Sequence, residues 1–153
     1  MPIRVGIDLV DRQEVRDALD THGARYLERV YTEREVADCR TTDGRAADGV
    51  DDGRLAERFA AKEAVFKTLR PGDRAIPWRA IEVCRGAAGR AELRLTGAAA
   101  KLAADAGLAE LALSISHERR FGAAVVVGEI HAQPGGERQS LIEHAQPASE
   151  RQS

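Results

Sequence analysis

Apolar and polar residues alternate at the start of the chain. Ile3, Val5, Ile7 and Leu9 fall on one side of a predicted strand, and Arg4, Gly6 and Asp8 fall on the other. The period then lengthens to that of a helix: Val15 and Leu19, one turn apart, predict a helix over residues 11–21. Gly23 interrupts it, and Tyr26, Leu27, Val30 and Tyr31 suggest another helical turn. Thr32-Glu33-Arg34-Glu35 has the form of a capping box, with Thr32 as cap and Glu35 reaching back, which starts a helix toward Arg40. Residues 41–53 are rich in Asp and Gly and nearly free of large apolar side chains, so they read as a mobile loop. Between Arg54 and Leu69, Leu55, Phe59, Phe66 and Leu69 form one stripe of a helix that stops at Pro71-Gly72. Residues 81–83 and 92–95 read as strands around a turn at 86–89. Thr96 is placed to cap a helix over residues 98–106, with Gly107 just past its end. Leu111, Leu113 and Ile115 alternate with Ala112, Ser114 and Ser116, and residues 123–130 make a last strand. His117 therefore stands at the mouth of a hairpin whose loop is 118–121.

Two charges interrupt the apolar stripe of the longest helix. Lys62 lies in its middle and Glu63 at its edge, with Lys67 one turn beyond Glu63. An ionised side chain buried without a partner is very costly. Either these long stems carry their charges out to water, or something charged meets them. Asp8, at the end of the first strand, would alone read as a cap for the next turn. Together, Asp8 and Glu63 are two hard carboxylates on rigid elements, a set that suits Mg²⁺ bound alongside substrate phosphates and water. Lys62 would then act as a point charge facing phosphate. Gly6 has no side chain, so a ligand or another backbone can come close to the strand there.

Composition narrows the choice. The length of 153 residues fits one domain. The hydrophobic fraction is 43%, but much of it is Ala and aromatics are only 4%, so buried area per residue is modest and self-association is favoured. A net charge of −2 argues against a nucleic-acid packaging protein. Cys39 and Cys84 match no metal spacing and read as reduced thiols of a cytoplasmic protein. No apolar signal core opens the chain and no run approaches a membrane span. From His131 the composition turns polar, and a ten-residue segment starting there recurs in altered form from His144. Two copies are too few for a solenoid, so residues 131–153 are expected to be a disordered tail behind a domain of residues 1–130.

Three motifs stand in order along the chain: Gly6-Ile7-Asp8; then Phe59, Lys62, Glu63, Ala64 and Lys67 in the pattern F-x-x-K-E-A-x-x-K; then Ser114, Ser116 and His117 before an Ala/Val-rich strand. In these, and over roughly residues 3–130, the chain resembles the holo-acyl-carrier-protein synthases, the short form of the 4′-phosphopantetheinyl transferase superfamily. The resemblance implies an α+β fold in which a small, mainly antiparallel sheet packs with helices. It implies transfer of 4′-phosphopantetheine from coenzyme A, the co-substrate, to a serine of an apo acyl carrier protein of fatty-acid or polyketide type. Adenosine 3′,5′-bisphosphate is released, and Mg²⁺ is the metal. Asp8 and Glu63 are then the expected metal ligands and Lys62 and Glu63 the catalytic pair, with Glu63 or a metal-bound water as base. Arg58, Lys62, Lys67, Ser116 and His117 are the expected coenzyme contacts. Family members are typically trimers with the coenzyme site between subunits, and they meet acidic carrier proteins through basic residues of the first helix. Arg12, Arg16, Arg25 and Arg29 stand in that region here, but so does Glu14, where a basic residue is common, and Gly89-Arg90-Ala91 replaces the usual Gly-Lys/Arg-Pro. The alternative readings are a non-catalytic coenzyme A or nucleotide-binding module, and a structural protein whose assembly is its function. The first has no use for the full set of Asp8, Lys62 and Glu63, and the second predicts no dependence on magnesium.

Overall fold

In the computed structural model, which describes residues 2–41 and 49–131, one helix lies across a three-stranded antiparallel sheet and organises everything else. The sheet is built from β1 (Ile3–Asp11), β4 (Leu108–His117) and β5 (Phe121–Ile130), in the order β1-β5-β4. Ile7 is opposite Val125, and Val125 is opposite Ser114. A separate hairpin joins β2 (Ile81–Arg85) to β3 (Ala91–Leu95). The helix is α4 (Asp52–Leu69). Around it stand α1 (Arg12–His22), α2 (Ala24–Val30), α3 (Glu33–Cys39) and α5 (Gly97–Asp105).

Two glycines set how closely α4 meets the sheet. A Cβ on Gly6 of β1 would come within 1.9 Å of the Ala64 carbonyl oxygen, and one on Gly122 of β5 within 2.5 Å of the Glu57 amide nitrogen. Both distances are far below contact, so only glycine lets the helix backbone rest on the strands at these points. Between them the buried Leu55, Ala56, Ala60, Ala61, Ala64, Val65 and Leu69 of α4 pack with Ala124 and Val126 of β5. Small side chains here are the counterpart of the short helix–sheet distance.

This orientation turns β1 in an unusual sense. Its polar and small face, carrying Gly6 and Asp8, looks toward α4. Its apolar face is left open: Ile3, Val5, Ile7 and Leu9 are 58, 51, 63 and 60% exposed.

The predicted elements are largely present, with two differences. Residues 50–53 do not belong to a loop, because the Asp51 side chain accepts from the Gly53 and Arg54 amides and starts α4 at Asp52. The mobile loop predicted there otherwise falls mainly on residues 42–48, which lie outside the described residues, as does the duplicated tail beyond His131. Thr96 precedes α5 but makes no side-chain cap. The capping box of Thr32 and Glu35 is formed as predicted. Both cysteines are free, and burial pushes the Cys39 thiol up to about 12.

Candidate functional site

The close approach at Gly6 brings the middle of β1 against the last two turns of α4. There Lys67 donates from Nζ to Asp8 Oδ1 at 2.7 Å and to the Ile7 carbonyl at 2.8 Å. Glu63, one turn before Lys67 and about 40° around the helix, joins them. Burial pushes the Glu63 carboxyl above its ordinary value and the Asp8 charge pushes it further, while Lys67 pulls it back. A carboxyl raised by a neighbouring carboxylate and drawn back by a nearby cation is what such a cluster produces. Lys67 is half exposed, so its ammonium is reachable by a ligand.

Lys62 is not part of this cluster. Its side chain is fully buried, and its ammonium donates to Glu35 Oε2 at 2.8 Å, to the Trp78 carbonyl at 3.1 Å and to the Ile81 carbonyl. The dilemma posed by a charge on an apolar stripe is thus resolved by a buried partner. For the expected catalytic and phosphate-facing role this geometry leaves Lys62 no free donor, since all three ammonium protons have acceptors inside the protein. Lys67 is the cation that reaches Asp8. Glu35 was read from the sequence only as a capping residue. It also accepts the Val83 amide through Oε1 at 2.9 Å, so one carboxylate ties α3, α4 and β2 together.

The close approach at Gly122 makes a second cluster at the other end of α4. Glu57 is about 15 Å back along the axis from Lys67 and about 80° around it. Its Oε2 is 2.6 Å from His117 Nδ1, and its Oε1 is 3.6 Å from Nη1 of Arg58. Glu57, Arg58, Ser116 and His117 line a cleft of about 600 Å³ together with Cys84, Arg85, Gly89 and Arg90 of the hairpin region. Arg58 is buried, and its Nε has no hydrogen-bond partner among the described residues. The predicted coenzyme contacts therefore separate: Lys67 sits with Asp8 and Glu63, and Arg58, Ser116 and His117 sit in the cleft. Glu57 drew no notice in the sequence, where it is one charge among many on a helix. Its signal was the spacing from Gly122, visible only with the sheet register.

A third charged region lies where α1 meets the start of α4. Arg12 and Arg16 both bind the Asp52 carboxylate, Arg16 through Nε at 2.8 Å. Two of the four arginines expected to meet a carrier protein thus share one buried counter-charge, while Arg25 and Arg29, and Glu14 with them, are exposed. No group of three or more His, Cys, Asp or Glu side chains suited to a metal occurs among the described residues. Nor is any helix among them long and apolar enough to cross a membrane.

The sheet-and-helix architecture and the ordered motifs define a transferase fold, and comparison with known proteins agrees. Residues 4–125 match the 4′-phosphopantetheinyl transferase superfamily, and the chain belongs to that family. It is 41% identical over 125 residues to the holo-[acyl-carrier-protein] synthase of Halothermothrix orenii, covering 82% of this chain and 95% of that one. It is 42% identical over 138 residues to the protein of the same name from Paramagnetospirillum magneticum, covering 88 and 99%. Among solved structures, the ACPS–CoA complex of Chronobacterium ammoniagenes superposes with a TM-score of 0.71 at 31% identity, covering 86% of this chain and all of that one.

Proposed function

We propose that this chain is a holo-acyl-carrier-protein synthase. It transfers 4′-phosphopantetheine from coenzyme A to a serine of an apo acyl carrier protein and releases adenosine 3′,5′-bisphosphate. The observation that carries this is the Asp8–Glu63–Lys67 cluster, built from the first two motifs and lying inside the family match. A binding module has no need of a cation held between two carboxylates beside a ligand.

The donor set fits Mg²⁺. Asp8 and Glu63 offer two hard oxygens on rigid elements, too few for an all-protein cage and suited to an ion that keeps water and phosphate ligands. When bound, the ion neutralises pyrophosphate charge. The serine Oγ attacks the phosphorus that carries pantetheine, the bridging P–O bond breaks, and the nucleotide leaves with the bond electrons. Glu63, its carboxyl raised above the ordinary value by burial and by the Asp8 charge, takes the serine proton. Lys67, anchored by Asp8 and the Ile7 carbonyl, stabilises the charge on the departing oxygen. Arg58, Ser116 and His117 hold other phosphates in the cleft. The catalytic domain spans residues 1–130, and the protein is cytoplasmic. Its acidic acceptor docks through the arginines of the first helices, with charge steering the encounter.

Mass spectrometry of an apo carrier protein incubated with coenzyme A and Mg²⁺ tests the reaction by the mass of the added phosphopantetheine. Asp8→Ala should remove most of that gain and leave the thermal unfolding midpoint nearly unchanged, because the ion pair of Asp8 is with a half-exposed lysine and such pairs contribute little to stability. No gain with the wild-type protein would overturn the assignment.

The working form is a homotrimer. Its support is the row of Ile3, Val5, Ile7 and Leu9, continued by the exposed Val125, since contiguous apolar surface of this kind marks an interface. Sedimentation equilibrium should give three times the 16.6 kDa chain mass, and Ile7→Asp should shift the protein to single chains. A wild-type protein that sediments as a single chain refutes the trimer.

A further inference from the structure

We infer that Glu57 is a positioning residue that orients two side chains of the cleft, His117 and Arg58, toward a phosphate of the co-substrate. The inference rests on the reading that this cleft takes the nucleotide end of coenzyme A. Glu57 is well placed for the task. It is only 12% exposed while His117 is 46% exposed, so the carboxylate is the fixed partner and the ring the mobile one. Its backbone is pinned against Gly122, and Gly122 is the register partner of His117 on β4. Helix, strand and hairpin mouth are therefore locked at one point, and the carboxylate bridges from it in two directions. Oε2 meets His117 Nδ1 at 2.6 Å, and Oε1 meets Arg58 at 3.6 Å.

The chemistry follows from the acceptor-only nature of a carboxylate. Bonded to Glu57, His117 carries its proton on Nδ1, which fixes the ring plane and leaves Nε2 for the cleft. When a phosphate monoester arrives as its monoanion, its P–OH proton passes to Nε2, the new Nε2–H donates back to the phosphate dianion, and the ring's charge lies between two anions. Arg58, held by Glu57 on one side and Asp38 on the other, keeps an unpartnered Nε within the same wall. The opposing effect is that Glu57 offsets part of the positive charge that would attract phosphate. Orientation wins if an exposed imidazole loses more by wandering than the cleft gains by losing one anion. In metal sites, carboxylates that orient a ligating histidine commonly contribute about 10- to 100-fold to metal affinity, and the lower end of that range is taken here for a phosphate.

The test titrates adenosine 3′,5′-bisphosphate into wild type, Glu57→Gln and Glu57→Ala by calorimetry. Glu57→Ala should weaken binding about tenfold. Glu57→Gln, which keeps an acceptor for Nδ1–H, should stay within about threefold of wild type. In transfer assays KM for coenzyme A should follow the same order, with a much smaller change in kcat. Ring ¹⁵N shifts of His117 should report the proton on Nδ1 in wild type and a move to Nε2 in Glu57→Ala, which a merely structural role would not produce. If wild type binds and Glu57→Ala binds equally or more tightly, Glu57 only offsets charge and the inference fails alone. If wild type does not bind the nucleotide, the reading of the cleft fails with it.

Discussion

Replacing Lys67 with Ala should lower kcat for phosphopantetheine transfer by roughly 100- to 1000-fold, the usual cost of losing one donor aimed at developing negative charge. The fold should survive, because the Lys67 side chain is half exposed and its hydrogen bonds, to Asp8 and the Ile7 carbonyl, are exposed ones. A second effect should accompany the loss of rate. Lys67 is the group that pulls the Glu63 carboxyl down against burial and the charge of Asp8. Without it Glu63 stays protonated to higher pH, so less of it is available as base on the acid side. The acid limb of the pH–rate profile should therefore move upward in the variant. Stopped-time assays across pH 5–9 would show both changes. A variant that turns over like wild type would return the role to another cation, and Arg58 in the cleft would be the next to examine.

The sequence carried the polar side of this site well and its surroundings poorly. Asp8 and Glu63 were legible because charges at a strand end and on an apolar helix stripe conflict with burial, and such conflicts collect at sites. Lys62 raised the same conflict and meant something else. Helical periodicity says which way a side chain points, but a residue in the middle of a stripe points inward, and only the fold reveals that Glu35 waits there. Lys67, at the stripe's rim, drew less attention and reaches Asp8 instead. The first strand shows a related limit. Alternation establishes two faces and does not tell which one meets the helix. Gly6 held that information, since a strand pressed onto a helix needs a position without a side chain, and a single chain does not announce that its apolar side is the outer one. Glu57 and His117, sixty residues apart, meet only through the register of β4 with β5 and the crossing at Gly122. No local pattern contains that distance.

The largest effect on stability should come from breaking the Glu35–Lys62 pair. Lys62→Met leaves a carboxylate buried with no counter-charge, and Glu35→Ala leaves an ammonium in the same position. Removal of one partner from a buried pair costs about 3–5 kcal/mol. For a domain of this size that lowers the unfolding midpoint by roughly 10 °C or more. The pair itself is not a large net stabiliser. Burial pushes Lys62 below its ordinary value in spite of the attraction of Glu35, so desolvation outweighs the partner's charge. The double variant Glu35→Gln, Lys62→Met should accordingly recover much of the loss. Gln keeps an acceptor for the Val83 amide, and Met fills the volume of the lysine stem among Tyr31, Trp78 and Ile81. Thermal unfolding of wild type, the two single variants and the double variant forms a cycle whose coupling energy measures the pair directly. Single variants as stable as wild type would mean that water reaches Lys62 and that the interior position of its ammonium is wrong. Transfer activity, measured below the unfolding range of each variant, provides the complement. If Lys62 acts only in the core, the folded double variant should retain most of its turnover, while Lys67→Ala in the same background should not.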